Sequence, residues 1–199
     1  MYKCFFKRIL DIVIALCGLI VTYIPMLVVA FLIKTDSEGP ILYRQKRLGK
    51  DGKVFEMLKF RSMYVNSEFT GSGVYSNDSD IRVTKVGRFI RKTSIDELPQ
   101  LLNVLKGDMS LIGPRPPLTY HPWPLEEYTD DQKRMFEVRP GITGWAQING
   151  RKDVEWHKRI QLNVWYVDHV TFWLDVKIFF ITILKVLRND DNENKGETV

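Results

Sequence analysis

The hydrophobic positions of this chain fall into one long run followed by many short ones. Ile12 to Ile33 is 22 residues without a charged side chain. As a helix this run would be roughly 33 Å long, about the thickness of a bilayer's hydrocarbon core. It is too long for a signal peptide, and KTDSEGP after it offers no small-residue cleavage site. Pro25 sits near its middle, where it removes a helical hydrogen bond and bends the chain. Lys3, Lys7 and Arg8 precede the run; Lys34, Arg44, Lys46 and Arg47 follow it. Basic flanks favour the cytoplasmic side. A helix that enters, bends at Pro25 and returns to the same face satisfies both observations, and on charge and proline alone it stands even with a spanning helix.

Shorter patterns fill the rest. PILYRQKRL and KVFEMLKF, with GKDG between them, predict a β-hairpin over 40–60. NSEFTGSGVYSNDSD (66–80) is polar and Gly/Ser-rich and predicts a mobile loop. Val83, Val86, Phe89 and Ile90 have helical spacing within 82–94. DELPQLLNVLKGD predicts a helix that stops near Lys106-Gly107. GPRPP (113–117) excludes helix and inner strand and leaves a stiff loop. An exposed helix is expected over 125–138, then a turn, short strand and turn over 139–151, and helices over 154–167 and 171–188. The last of these carries Phe172, Trp173, Ile178, Phe179, Phe180 and Leu187, and two readings fit it: a core-facing helix, or an apolar face lying on the bilayer. The polar tail from Asn189 to Val199 reads as disordered. The expected fold class is mixed α/β. A compact cytosolic domain (36–188) with a small antiparallel sheet and surface helices follows a Pro-bent, re-entrant membrane helix (1–35).

Composition suits this plan: 199 residues, 45% hydrophobic and 12% aromatic, fit one globular domain plus a short extra element. Charge changes the picture more. Residues 1–115 carry 18 Lys/Arg against 11 Asp/Glu, a net +7, while residues 116–199 carry 11 against 13, a net −2. The positive excess surrounds the membrane-like run and the stretch RKTSIDELPQ. It points to an anionic partner: lipid headgroups, phosphates or nucleic acid. Cys4 and Cys17 have neither disulfide-framework nor metal-ligand spacing, which fits a reducing compartment.

RKTSIDELPQ holds the candidate chemistry. Ser94-Ile95-Asp96-Glu97 has the form of a capping box, and acids in a first helical turn complement the dipole. Yet Arg88, Arg91 and Lys92 lie close before the pair, and Arg115 is held between Pro114 and Pro116. A rigidly placed arginine fork beside a helix start is phosphate-binding equipment. A carboxylate there can hold Mg²⁺ shared with phosphates, or attack phosphorus and form an acyl phosphate, with the cations screening anion–anion repulsion.

KRILDI, KFRSM, RKTSIDELPQLLNVLKGDMSLIGPRPP and RPGITGWAQINGR occur in series. Together they resemble the monotopic phosphoglycosyl transferases, the bacterial sugar transferase family, from about Lys7 to Arg188. The resemblance implies transfer of a sugar 1-phosphate from a UDP-sugar to undecaprenyl phosphate, with release of UMP. The setting it implies is monotopic, at the cytoplasmic face of the bacterial inner membrane, in the first membrane step of glycoconjugate assembly. It also implies a ping-pong course through a covalent aspartyl phosphosugar, a Mg²⁺ cofactor, contact with an anionic lipid bilayer and no nucleic-acid partner. Carried over, Asp96 is the nucleophile and a Mg²⁺ ligand, and Glu97 its partner in placing the metal or handling a proton. Arg91 and Arg115 match arginines near the phosphates, and Arg151 is a further candidate for nucleotide sugar or phosphate. Asp175 in FWLDVKI matches an acid placed near the active site, with a plain helix-surface acid as its other reading. Lys59 and Arg61 in KFRSM match the family's pattern and join the substrate-side candidates without an assigned role. By analogy the cargo is an N-acetylated amino sugar, and the exposed apolar faces allow a homodimer.

The chain departs from the family pattern at two places. Ile24-Pro25 stands where Ser-Pro is common, with Thr22 as a substitute hydroxyl, and Asn163 in QLNVWYV stands where Asp is common. Two other function classes use the same residues. A membrane-anchored basic module would need the cations but not the acid pair, and a phosphatase would share the aspartyl chemistry without the lipid acceptor.

Overall fold

The computed structural model describes residues 2–67, 80–150 and 155–188. Most of the predicted 66–80 loop, the 189–199 tail and Arg151 lie outside the described residues. The fold is mixed α/β with two small sheets and one long N-terminal helix.

After a π-helical turn (Tyr2–Phe6), α1 (Lys7–Asp36) runs for 30 residues, about 45 Å. It remains helical through Pro25, which supplies no N–H to the carbonyl of Val21. One turn earlier the Thr22 hydroxyl donates to the Gly18 carbonyl at 2.7 Å, a back-bond that also favours bending. Both halves of α1 bury one stripe against the same body. Ala15 packs with Met57, Leu101, Val104 and Met109; Val29 and Ile33 pack with Phe60 and Ile90. Leu19, Met26 and Ala30 are partly buried beside them, while Ile20, Val21, Ile24 and Phe31 are among its exposed apolar residues.

The hairpin is present as predicted. β1 (Leu42–Leu48) and β2 (Val54–Phe60) pair antiparallel, with Tyr43 opposite Lys59 and Gln45 opposite Met57. α2 (Lys85–Lys92) starts at Thr84, whose hydroxyl accepts from the Gly87 N–H. A 3₁₀ turn (Ile95–Glu97) leads into α3 (Gln100–Lys106), which Gly107 ends in the left-handed conformation, φ +98°. Asn103 on α3 is fully enclosed and pairs with β2 like a neighbouring strand. Its Oδ1 accepts from Leu58 N at 2.9 Å, and its Nδ2 donates to Glu56 O at 2.7 Å.

The second sheet is parallel, which the sequence patterns did not suggest. β3 (Ser110–Ile112) lies beside β4 (Gly141–Thr143). The approach is so close that a Cβ on Gly144 would sit 2.0 Å from the Gly113 carbonyl oxygen, and one on Gly141 2.1 Å from the Gly113 nitrogen. Only glycine fits these positions. The contact brings the loop after β3 beside the helical turn after β4, here α5 (Trp145–Ile148). That turn stands where 139–151 was expected to end in an ordinary turn.

The expected exposed helix over 125–138 is not formed as one element. A 3₁₀ turn (Leu125–Glu127), α4 (Asp130–Lys133) and a second 3₁₀ turn (Arg134–Phe136) replace it. Thr129 and Gln132 close a capping box that starts a new helix inside the segment. Tyr128, Met135 and Phe136 are then buried against Leu48, Ile160 and Val164. α6 (Trp156–Asp168) and α7 (Phe172–Arg188) complete the fold. α7 is core-facing on one side, where Ile178 is fully buried, and leaves Trp173, Phe180 and Leu187 exposed.

Candidate active site

Ser94 joins α2 to the turn that carries the acid pair. It adopts the left-handed conformation at φ +57°, which costs a non-glycine residue about 1 kcal/mol or more. In that conformation its side chain makes no cap, so the capping box expected from SIDE is not formed. Glu97 turns instead to the hairpin, where its Oε1 accepts from Lys59 Nζ at 2.8 Å and lies 3.8 Å from Arg115 Nη2.

Asp96 is buried, with 9% of its surface open. Burial drives its pKa above the ordinary carboxylate range. Lys59, Arg91 and Arg115 oppose that shift, and neighbouring Glu97 adds to it. Four of the expected residues, Lys59, Arg91, Glu97 and Arg115, thus surround Asp96 electrostatically, supplied by β2, α2, the 3₁₀ turn and the loop after β3.

The sequence reading missed Arg47, which it counted as a charge flanking the membrane run. Alternation along β1 puts Tyr43, Gln45 and Arg47 on one face, the face shared by Lys59 through the Tyr43 pairing. Arg47 Nη1 donates to the Pro116 carbonyl at 2.8 Å and so braces the Pro-Arg-Pro loop. Burial, then the nearby Arg115, lower its pKa to about 10. Period-two alternation was the available signal.

Two expected residues lie elsewhere. Arg61 is buried under the end of α1. Its guanidinium donates to the carbonyls of Glu38 at 2.6 Å and Ser37 at 2.7 Å, and to the Ser37 hydroxyl at 3.0 Å. Nη2 also donates to the Ile33 carbonyl at 3.4 Å in the last turn of α1, so these donors serve the end of the long helix. Asp175 is also buried. Its Oδ2 accepts from Tyr2 at 2.6 Å and Lys7 at 2.7 Å, and its Oδ1 from Tyr166 at 2.7 Å. This network ties the N-terminus to α6 and α7. Asn163, the second departure from the family pattern, is buried on α6.

A cavity of about 240 Å³ adjoins the pair. Glu97, Arg115 and Lys185 are its charged groups, Ser94, Thr143, Gln147 and Thr182 its other polar ones, and Leu98, Leu111, Ile142 and Phe179 are among its apolar walls; Asp96 itself is not a wall. Among the described residues no three His, Cys, Asp or Glu side chains cluster as a cage for a metal. Mg²⁺ rarely needs one, since it commonly takes one or two carboxylates with substrate phosphates and water. Asp96 and Glu97 fit that donor set.

The arrangement can receive an anionic group at the cations, hold a carboxylate beside it, and accommodate an apolar group in the adjacent cavity. Comparison with known proteins gives the family. The profile of the family described as bacterial sugar transferase matches residues 2–189. An uncharacterized sugar transferase, EpsL, of Bacillus subtilis is 47% identical over 91% of this chain and 87% of its own length. The undecaprenyl-phosphate galactose phosphotransferase of Salmonella typhimurium is 43% identical over 94% of this chain. The UDP-glucose:undecaprenyl-phosphate glucose-1-phosphate transferase of Klebsiella pneumoniae is 43% identical over 90% of it. The chain spans 41% and 40% of the lengths of those last two relatives. By profile and by identity over nearly its whole length, this chain belongs to the bacterial sugar transferase family.

Proposed function

We propose that the protein transfers a sugar 1-phosphate from a UDP-sugar to undecaprenyl phosphate, releasing UMP. The observation that carries this reading is Asp96, a buried carboxylate ringed by Lys59, Arg91 and Arg115 next to an apolar cavity. The names of the Salmonella and Klebsiella relatives supply the substrate class.

In the first half-reaction an Asp96 carboxylate oxygen attacks the phosphorus that bears the sugar. The bond to the bridging oxygen breaks, and UMP leaves with the electron pair. In the second, a phosphate oxygen of the lipid attacks the same phosphorus and the Asp96 carboxylate departs, giving polyprenyl-diphosphate-sugar. Arg115, held by the Arg47-braced loop, and Arg91 offset the charge of the transferred group. Lys59 fixes the Glu97 carboxylate. Mg²⁺, held by Asp96 and Glu97, would neutralise diphosphate charge when bound.

The two packing sites of α1 support a monotopic placement at the cytoplasmic face of the bacterial inner membrane. Ala15 and Val29 pack on one body that also carries the charged site. A spanning α1 would draw that body into hydrocarbon, at a cost charged groups do not bear. A shallow re-entrant α1 leaves Ile20 to Val28 in the lipid and the site at its surface.

The reading includes an N-acetylated amino sugar as cargo by analogy, while the relatives' names point to galactose and glucose. Purified protein assayed with Mg²⁺, undecaprenyl phosphate and a panel of UDP-N-acetylglucosamine, UDP-glucose and UDP-galactose tests both. UMP release that goes beyond one equivalent per enzyme only when the lipid is present supports the transferase. Sugar phosphate released equally without it would sink the reading in favour of a phosphatase.

A further inference from the structure

Gln147 is 93% buried, since 7% of its surface is exposed, and it lines the cavity beside Glu97 and Arg115. Neither its Oε1 nor its Nε2 has a hydrogen-bond partner. An amide buried in this way is costly, and native folds seldom leave both of its polar atoms unmet. The backbone explains how it got there. Gly144 packs against Gly113, starts α5, and so carries Gln147 to the cavity opposite the loop that holds Arg115.

Most of the remaining wall is apolar, with β3, β4 and α7 among its sources, and Ser94, Thr143 and Thr182 add hydroxyls to it. Phe179, Ile183 and Val186 of α7 line the cavity and are themselves partly open to the outside, and Phe180, Leu184 and Leu187 of the same helix are exposed beside them. An apolar path therefore runs from the outer face of α7 to a chamber whose charged groups are Glu97, Arg115 and Lys185. A ligand matched to this chamber is anionic at one end and hydrocarbon along its length.

We infer that the cavity is the seat of the lipid acceptor, with Gln147 as a binding residue that donates its Nε2 hydrogen to the lipid's phosphate while the leading isoprene units lie along Leu98, Leu111, Ile142 and Ile183. This assignment rests on the transferase reading for its choice of lipid. It goes further by seating the acceptor in a cavity that shares Glu97 and Arg115 with the surroundings of Asp96, and by assigning a role to an uncharged residue of GWAQINGR. The neutral amide suits this place. It meets the phosphate without adding a cation that would hold the diphosphate product.

The test uses full-length protein in detergent with two separate readouts. In the first, undecaprenyl phosphate is added without UDP-sugar and the thermal midpoint is followed, with undecaprenol and inorganic phosphate as controls. The wild type is stabilised by undecaprenyl phosphate alone among the three, and Gln147→Leu loses that shift. The ligand-free variant melts no lower than the wild type, because leucine leaves no amide unmet. In the second, Gln147→Leu raises the KM for undecaprenyl phosphate about tenfold, the scale of one lost hydrogen bond to a charged group, and leaves the KM for the UDP-sugar within about twofold. Ile183→Trp, which fills the cavity from α7, impairs use of undecaprenyl phosphate in the same direction. If Gln147→Leu moves the UDP-sugar KM instead, or binds undecaprenyl phosphate as the wild type does, the assignment is overturned. A wild type that binds the lipid through Gln147 yet releases no lipid-dependent UMP would overturn the transferase reading and leave this site standing.

Discussion

Lys59 Nζ lies 2.8 Å from Glu97 Oε1, so the hairpin holds the second acid of the pair from across the fold. The same ammonium is the strongest influence favouring the charged form of Asp96. Lys59→Met removes both effects. Asp96 then needs a higher pH to ionise, and the acid limb of the kcat/KM profile moves up in pH. Lys59→Arg, which keeps the charge, moves it far less. Stability falls by about 1–2 kcal/mol with the loss of a charge-assisted hydrogen bond. A pH profile identical to the wild type would remove Lys59 from the site's electrostatics.

Asp96→Asn abolishes the nucleophile, and turnover falls by about 10⁴-fold or more. Its effect on stability has the opposite sign. Burial raises the folded-state pKa of Asp96 above its ordinary 3.8, so between those values the folded chain binds the extra proton. Stability is fully present below the ordinary value and is lost as pH rises through the raised one. The wild type therefore carries a destabilising carboxylate at pH 7 that the amide lacks. Thermal melts should place the variant above the wild type at pH 7 and level with it near pH 4.

Arg61→Met separates capping from catalysis. Four hydrogen bonds from one buried guanidinium close the end of α1. Their loss costs about 2–4 kcal/mol, read as a lower unfolding midpoint in detergent. The KM for UDP-sugar in the folded fraction stays within about twofold, whereas Arg115→Met raises it at least tenfold. An Arg61 variant with native stability and a large KM change would return Arg61 to the substrate side.

His121 supplies an acid-sensitive point. Burial, then Arg47 and Arg159, lower its pKa from the ordinary 6.5. The unfolded chain therefore binds a proton that the folded one refuses. Stability is present above pH 6.5 and is lost as pH falls toward the lowered value. Melting curves from pH 7.5 to 5 should fall more steeply for the wild type than for His121→Gln.

The elements with strong local signals were legible in the sequence. The charge-free run, the hairpin around GKDG, the stop at Gly107 and the two last helices each depend on periodicity or turn chemistry within a dozen residues. The 125–138 segment misled because Thr129 and Gln132 restart the chain locally, while burial of Tyr128, Met135 and Phe136 answers to distant partners. SIDE read as a capping box because the motif is local. Lys59, 38 residues away, took the carboxylate instead.

The sequence by itself determined the acid pair, its nearby cations and the family, because each is carried by residue identity in a contiguous stretch. Only the tertiary structure decided which cations reach the pair and which serve the scaffold. Lys59 and Arg61 are two residues apart, yet one meets Glu97 and the other closes α1. Arg47 and Gln147 entered the picture only when β1 met the Pro-Arg-Pro loop and β4 packed against β3. Such roles arise from burial and from contacts between elements far apart in the chain, and local pattern holds no record of either.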